Sequence, residues 1–230
     1  MICTVRSYVN ITSYVQKNKN YFLLFFLLFL SFPLFSLDYN PINISNKKLQ
    51  DIKLKYGEQA VKRVILWDQL IEKNKNKPLL IQLKNINNFF NKFPYKRDKE
   101  LWGENDYWAT PYEFLSLAAG DCEDYAIAKY FTLKKLGIPE ENLRIIYVTY
   151  KNDKTNYEEA HMVLSYLINE NSTPIILDNI NKKLLLANQR TDLTPVYSFN
   201  AKSLWQAQSK GKEKVGKNNL KSWENMINKI

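Results

Sequence analysis

Residues 110–139 read TPYEFLSLAAGDCEDYAIAKYFTLKKLGIP, and this stretch divides the chain into two unlike halves. Asp121 stands before an unbroken run of helix formers, with Asp124 three positions on in the place of a capping-box acid. The spacing predicts a helix from Cys122 to about Leu136, stopped by Gly137 and Pro139, with Ala126, Tyr130, Leu133 and Leu136 as its buried stripe. Cys122 then lies in the first turn of a core helix. Unpaired N–H groups and the positive end of the helix dipole favour a thiolate at such a place.

Before this helix the pattern is helical. Apolar residues from Leu49 to Leu70 recur at three- and four-residue spacings, broken at Gly57. Pro78 opens a second such run, Leu79 to Phe93, closed by Pro94. After about Leu143 the character changes. Arg144–Tyr150 (RIIYVTY), His161–Ile168 (HMVLSYLI) and Pro174–Asn179 (PIILDN) are short, β-branched and aromatic, and bounded by polar clusters. Helices followed by strands predict an α+β fold with an antiparallel sheet.

The chain has two cysteines and one histidine. That count excludes a disulfide scaffold, a Cys/His zinc knot and any mechanism needing two histidines. It also leaves room for an arrangement suited to nucleophilic catalysis. His161 opens a predicted strand and Asp178 ends the next one. A hairpin turning at Asn169-Glu170 sets the two opposite each other, and a longer loop shifts them by only a residue or two. A carboxylate beside imidazole fixes its tautomer, and imidazole beside a helix-start thiol takes its proton. Cys122, His161 and Asp178 are thus a candidate triad, against the plainer reading of a core cysteine, a structural histidine and a turn aspartate.

Asp121, Glu123 and Asp124 crowd three carboxylates around Cys122. They act either as cap and dipole partners, the reading preferred for Asp124, or as ligands of a hard cation such as calcium; left alone, they oppose thiolate formation. Trp102, Tyr107 and Trp108 either wall a substrate cleft or pack the core.

The ends carry most of the charge. Of the net +10, residues 1–37 hold +3 and residues 200–230 hold +5, leaving only +2 for 38–199. Nucleic-acid binding wants a basic stripe on the folded body, so that class is set aside. Lys17 and Lys19 precede YFLLFFLLFLSFPLFSL (21–37), which reads as a secretory signal sequence or an uncleaved N-terminal anchor. Either form exports the rest of the chain. Removal of the leader takes Cys3 with it and leaves Cys122 as the lone thiol. The expected organisation is leader 1–37, domain 38–208 and a lysine-rich tail 209–230, read as a solvated helix or frayed terminus.

WGENDYWATPYEFLSLAAGDCEDYAIAKYFTLKKLGIP, EEAHMVLSY, PIILDNI and RTDLTPVYSFNAKSLW together resemble the bacterial transglutaminase-like cysteine proteinases, in their LapG-like periplasmic branch. The resemblance runs from about Arg63 to Trp205. It implies a papain/transglutaminase-like fold: a helical N-terminal lobe with the catalytic Cys122 and an antiparallel sheet lobe with His161 and Asp178. It further implies calcium dependence through Asp121 and Glu123. The implied substrate is the N-terminal region of a large repeat-rich surface adhesin, cut near paired alanines, with biofilm dispersal as the result. The implied inhibitor is a LapD-like inner-membrane cyclic di-GMP receptor, and the implied location is the periplasm. Two rival readings stand beside this one: a transglutaminase-like or cell-wall-peptide acyl transferase or hydrolase, and a catalytically silent periplasmic binding module.

Overall fold

In the computed structural model the described residues are 44–152, 154–169, 171–206 and 214–230. The expected leader at 1–37 lies outside the described residues. Three helices come first, α1 (Asn46–Tyr56), α2 (Glu58–Asn74) and α3 (Leu79–Phe90). Gly57 separates the first two at φ 83, a left-handed backbone that glycine adopts without steric cost. Pro78 directly precedes α3. This is the interrupted helical run expected over 45–92.

A single turn, α4 (Asp98–Leu101), is followed by α5 (Pro111–Leu117). α5 starts with a complete capping box, in which the Thr110 hydroxyl accepts the Glu113 N–H and Glu113 accepts the Thr110 N–H. The predicted central helix is α6 (Cys122–Lys135). It is buried almost all round, including Lys129 and Asp124, where the sequence predicts a single apolar stripe. The cause is its position: it packs against α3 and α5 and also against the sheet.

The sheet is seven-stranded, in the order β4-β3-β2-β1-β5-β6-β7, and every pairing is antiparallel. Its strands are β1 (Leu143–Lys151), β2 (Glu158–Tyr166), β3 (Ile175–Leu177), β4 (Leu185–Leu186), β5 (Leu193–Phe199), β6 (Leu204–Gln206) and β7 (Lys214–Gly216). β5 carries Pro195, which has no N–H to give to a ladder. The register with β1 shifts between Tyr147 and Val148, next to this proline, as a bulge allows.

The lysine-rich tail differs from the solvated or frayed end expected of it. Its helix α7 (Lys221–Ile227) buries Trp223 and Met226 in the main core. Trp223 stacks on Phe131 at 5.8 Å and meets Tyr130 and Phe199 edge-on. Burial of a large apolar side chain stabilises by roughly 1.5–3 kcal/mol, so this helix is part of the core. Among the described residues no helix is long and apolar enough to cross a membrane.

Candidate active site

The site has two halves. One is the start of α6. Gly120 is buried here, and a Cβ on it would come within 2.6 Å of Asp124 Oδ2 and 2.7 Å of Phe114 Cδ2. Asp121 takes the N-cap position in extended conformation, but its side chain makes no capping bond. Asp124 Oδ1 accepts the Ala109 N–H at 2.8 Å instead of serving a full capping box. The expected Asp121/Asp124 box is therefore replaced by a tie between helix start and upstream loop. Asp124, read from sequence as a cap, joins the acidic cluster described below.

Cys122 is a free, partly buried thiol whose S–H donates to Glu123 Oε2 at 3.0 Å. Burial pushes the thiol well above its ordinary range; Glu123 and Asp121 push the same way, while the Met162 N–H pulls it down. The helix-dipole effect expected at this position is thus outweighed by burial first and by the neighbouring acids second. The Met162 contact also sets the sulfur against β2, the strand that carries His161.

The other half is the sheet. His161 and Asp178 are 3% and 1% exposed, and His161 Nε2 lies 2.9 Å from Asp178 Oδ1. The β2–β3 register puts Leu164 opposite Leu177, two positions away from the tight-turn pairing. The reason is a longer connection, in which the Ser172 hydroxyl accepts the N–H groups of Ile168 and Asn169. Asp178 therefore stands just past β3 and still reaches the imidazole. The Tyr150 ring packs against His161 at 5.9 Å. Asp178 also accepts the Ile180 N–H at 2.9 Å and Arg190 Nη2 at 2.7 Å. Burial would raise its carboxyl, but the His161 bond and charge, the Ile180 N–H and Arg190 together hold it far below the ordinary carboxylate range. Asp178 is an ionised acceptor, so Nε2 carries the proton and Nδ1 is the ring nitrogen left for proton exchange.

Around the helix start the acids gather more widely than the sequence indicates. Ligand atoms of Asp98, Asp121 and Asp124 lie within 4.8 Å of one another, as do those of Asp98, Asp106 and Glu123. Asp98 Oδ1, Asp121 Oδ1 and Asp124 Oδ2 are buried with no hydrogen-bond partner among the described residues. Burial, then Glu123, Asp124 and Asp98, push the Asp121 carboxyl up to about 10; burial foremost lifts Asp98 to about 6 and Asp124 well above its usual range. Orphaned carboxylate oxygens converging on one point are the donor set that a hard, oxygen-preferring cation takes. Of the two acids expected to serve a metal, Asp121 falls in the first group and Glu123 in the second, where its Oε2 also accepts the Cys122 S–H. Sequence reasoning misses Asp98 and Asp106, because they lie far upstream in KRDKEL and GENDYW with no local spacing to mark them.

The aromatic segment divides between its two readings. Trp108 is buried and stacks on Phe199 at 5.7 Å, which makes it core. Trp102 and Tyr107 stack on each other at 4.1 Å and stay partly exposed. Lys229 covers Tyr107 at 3.8 Å and donates to Trp108 O at 3.2 Å, while the Ser222 hydroxyl donates to Asp106 Oδ2 at 3.1 Å.

The family model of the bacterial transglutaminase-like cysteine proteinases (BTLCP) matches residues 67–211. The chain belongs to that family. It is 41% identical to Legionella pneumophila LapG in an EGTA-treated structure, over 81% of this chain and 97% of that one, with a TM-score of 0.70. Against calcium-bound LapG of the same organism the identity is 41%, over 81% of this chain and 99% of that one, with a TM-score of 0.68. No curated protein matches the chain. The expected α+β, transglutaminase-like fold is the one observed: helices carry the cysteine, and an antiparallel sheet carries the histidine.

Proposed function

We propose that this member of the cysteine proteinase family is a calcium-dependent periplasmic endopeptidase, exported by its N-terminal segment. Its substrate is the N-terminal region of a large, repeat-rich surface adhesin, cut near paired alanines, and the cut releases the adhesin and promotes biofilm dispersal. A LapD-like inner-membrane receptor restrains it when cyclic di-GMP is high. One observation carries the reading: His161, paired with Asp178, sits on the strand whose Met162 N–H meets the Cys122 sulfur, in a chain 41% identical to LapG.

The chemistry follows from the residues. The Cys122 S–H, now donated to Glu123, passes its proton to His161 Nδ1 while Asp178 holds Nε2. The sulfur attacks the scissile carbonyl, and the Cys122 N–H at the helix start donates to the developing oxyanion. His161 returns the proton to the leaving amine, and water hydrolyses the thioester. Asp98, Asp121 and Asp124, or Asp98, Asp106 and Glu123, would hold a calcium ion, which would supply neutralisation of the negative charge beside the nucleophile and so ease thiolate formation against Glu123 and Asp121.

The test incubates purified protein with an N-terminal adhesin fragment and identifies the products by mass spectrometry. Hydrolysis leaves a new amine and a new carboxylate. The Cys122→Ala variant is expected to lose at least ~10³-fold in turnover with its melting temperature unchanged. Cross-linked products, or full activity in the alanine variant, would sink the assignment.

A further inference from the structure

The two oxygens of Asp178 have different partners. Oδ1 takes His161 Nε2 at 2.9 Å and the Ile180 N–H at 2.9 Å, while Oδ2 takes Arg190 Nη2 at 2.7 Å and, at a longer 3.4 Å, the Asn181 N–H. Arg190 follows the short 3-10 turn Ala187–Gln189 and is 2% exposed. Its other edge is gripped by Asp192, with Nε to Oδ1 and Nη2 to Oδ2 both at 2.8 Å. Among the described residues its Nη1 is buried with no hydrogen-bond partner. The guanidinium is thus aimed at one carboxylate oxygen even though a buried N–H group is left unmet.

We propose that Arg190 is a positioning residue for the hydrolysis described above, occupying Asp178 Oδ2 so that Oδ1 can only accept from His161 Nε2. The inference rests on His161 serving as proton carrier. If the buried Asp178 carboxyl were protonated, it would donate to Nε2, and the ring proton would move to Nδ1. That nitrogen is the one that must be empty to take the Cys122 proton. A guanidinium prevents the exchange because it stays charged and has no acceptor lone pair.

The other charged groups near Asp178 do not do this. Lys129, on α6, feels the Asp178 charge, but burial brings its ammonium down to about 7, so it is an unreliable counter-ion. Lys182 spends a proton on Asn91 O at 3.1 Å. Asn91 in turn donates to the Asp178 main-chain oxygen at 2.7 Å and supports the backbone, not the carboxylate. Asp192 bonds Arg190 and fixes the guanidinium from behind.

The chain's single histidine makes the proposal readable without any substrate. Long-range proton–nitrogen NMR of the full chain at pH 8, in a Cys122→Ala background so that no thiolate protonates the ring, reports the His161 tautomer directly. The expected result is Nε2–H with Arg190 present, also with Arg190→Lys, and a shift toward Nδ1–H with Arg190→Met. With Cys122 restored, Arg190→Met should lower kcat at least ~30-fold with KM within about threefold, and Arg190→Lys should recover part of it. Asp192→Asn keeps the bond to Asp178 and should retain the tautomer and kcat within about threefold, even if its melting temperature falls as far as that of Arg190→Met. An unchanged tautomer in Arg190→Met, or equal kcat losses in Asp192→Asn and Arg190→Met, overturns the proposal and makes the cluster a structural ion pair. Absence of any proteolysis by the unmodified protein would strike the enzymatic reading, and the tautomer measurement would still stand.

Discussion

Asp178, just past β3, and Asp121, at the start of α6, are both buried carboxylates, yet folding surrounds the first with donors and the second with other acids. Asp178 finds an imidazole, a guanidinium and the backbone N–H groups of Ile180 and Asn181 within the chain itself, and its carboxyl is held far below the usual range. Asp121 faces Glu123, Asp124 and Asp98, and its carboxyl is pushed up to about 10. The sheet half of the site is complete once the chain has folded. The helix half gathers carboxylates against one another. Under the proposed calcium reading, dependence on an ion would fall on Cys122 and leave the His161–Asp178 pair to the fold.

This contrast can be broken or sharpened by experiment. The largest effect is expected from Asp178→Asn, which should lower turnover by ~10²–10⁴-fold through the wrong imidazole tautomer, with the calcium-induced rise in melting temperature unchanged. Loss of the calcium response as well would show that the two halves are not separate.

Next, Asp124→Asn should weaken calcium binding by about 10–100-fold in titration calorimetry. The same change should raise the melting temperature of the metal-free protein, because one repelling acid is gone. A metal-free protein that becomes less stable would assign Asp124 to structure.

A smaller effect is a pH dependence. The folded-state values of Asp98 and Asp121, about 6 and about 10, lie above the ordinary value of 3.8. The metal-free native state therefore holds protons that the unfolded chain has released, and its stability falls as pH rises through that window. The gain in melting temperature on adding calcium should accordingly be larger at pH 8 than at pH 5. Equal gains would mean that the acids are not the ligands.

The smallest is opposite in sign. Lys129 is pushed down from 10.5 to about 7 by burial, against the pull of Asp178. Between those values the unfolded chain binds a proton that the native state does not, so its contribution to stability rises with pH. Lys129→Met should remove that slope, worth on the order of a few kcal/mol, as measured by urea unfolding at pH 7 and pH 10.

The sheet half is nearly legible in the amino-acid order alone. A lone histidine and a pairable aspartate on adjacent strands leave little freedom, and the two-position register offset comes from a loop longer than a tight turn. Arg190 is not legible, because nothing in RTDL announces a guanidinium turned inward. On the helix side, Asp121 and Glu123 are marked by their place beside Cys122, while Asp98 is brought in only by tertiary folding. The tail misleads for a compositional reason. Its lysines suggest solvent, but Trp223 and Met226 lie three apart on one face, and that face decides where the helix goes. Strands β6 and β7, three residues each, are too short for their alternation to register.

A single methyl group at Gly120 would strike Asp124 and Phe114 together, so the backbone leading to the nucleophile and the acid that crowds it share one tolerance. An alanine at position 120 would have to displace the carboxylate, the ring or the backbone itself, and that backbone leads directly into the turn that holds Cys122.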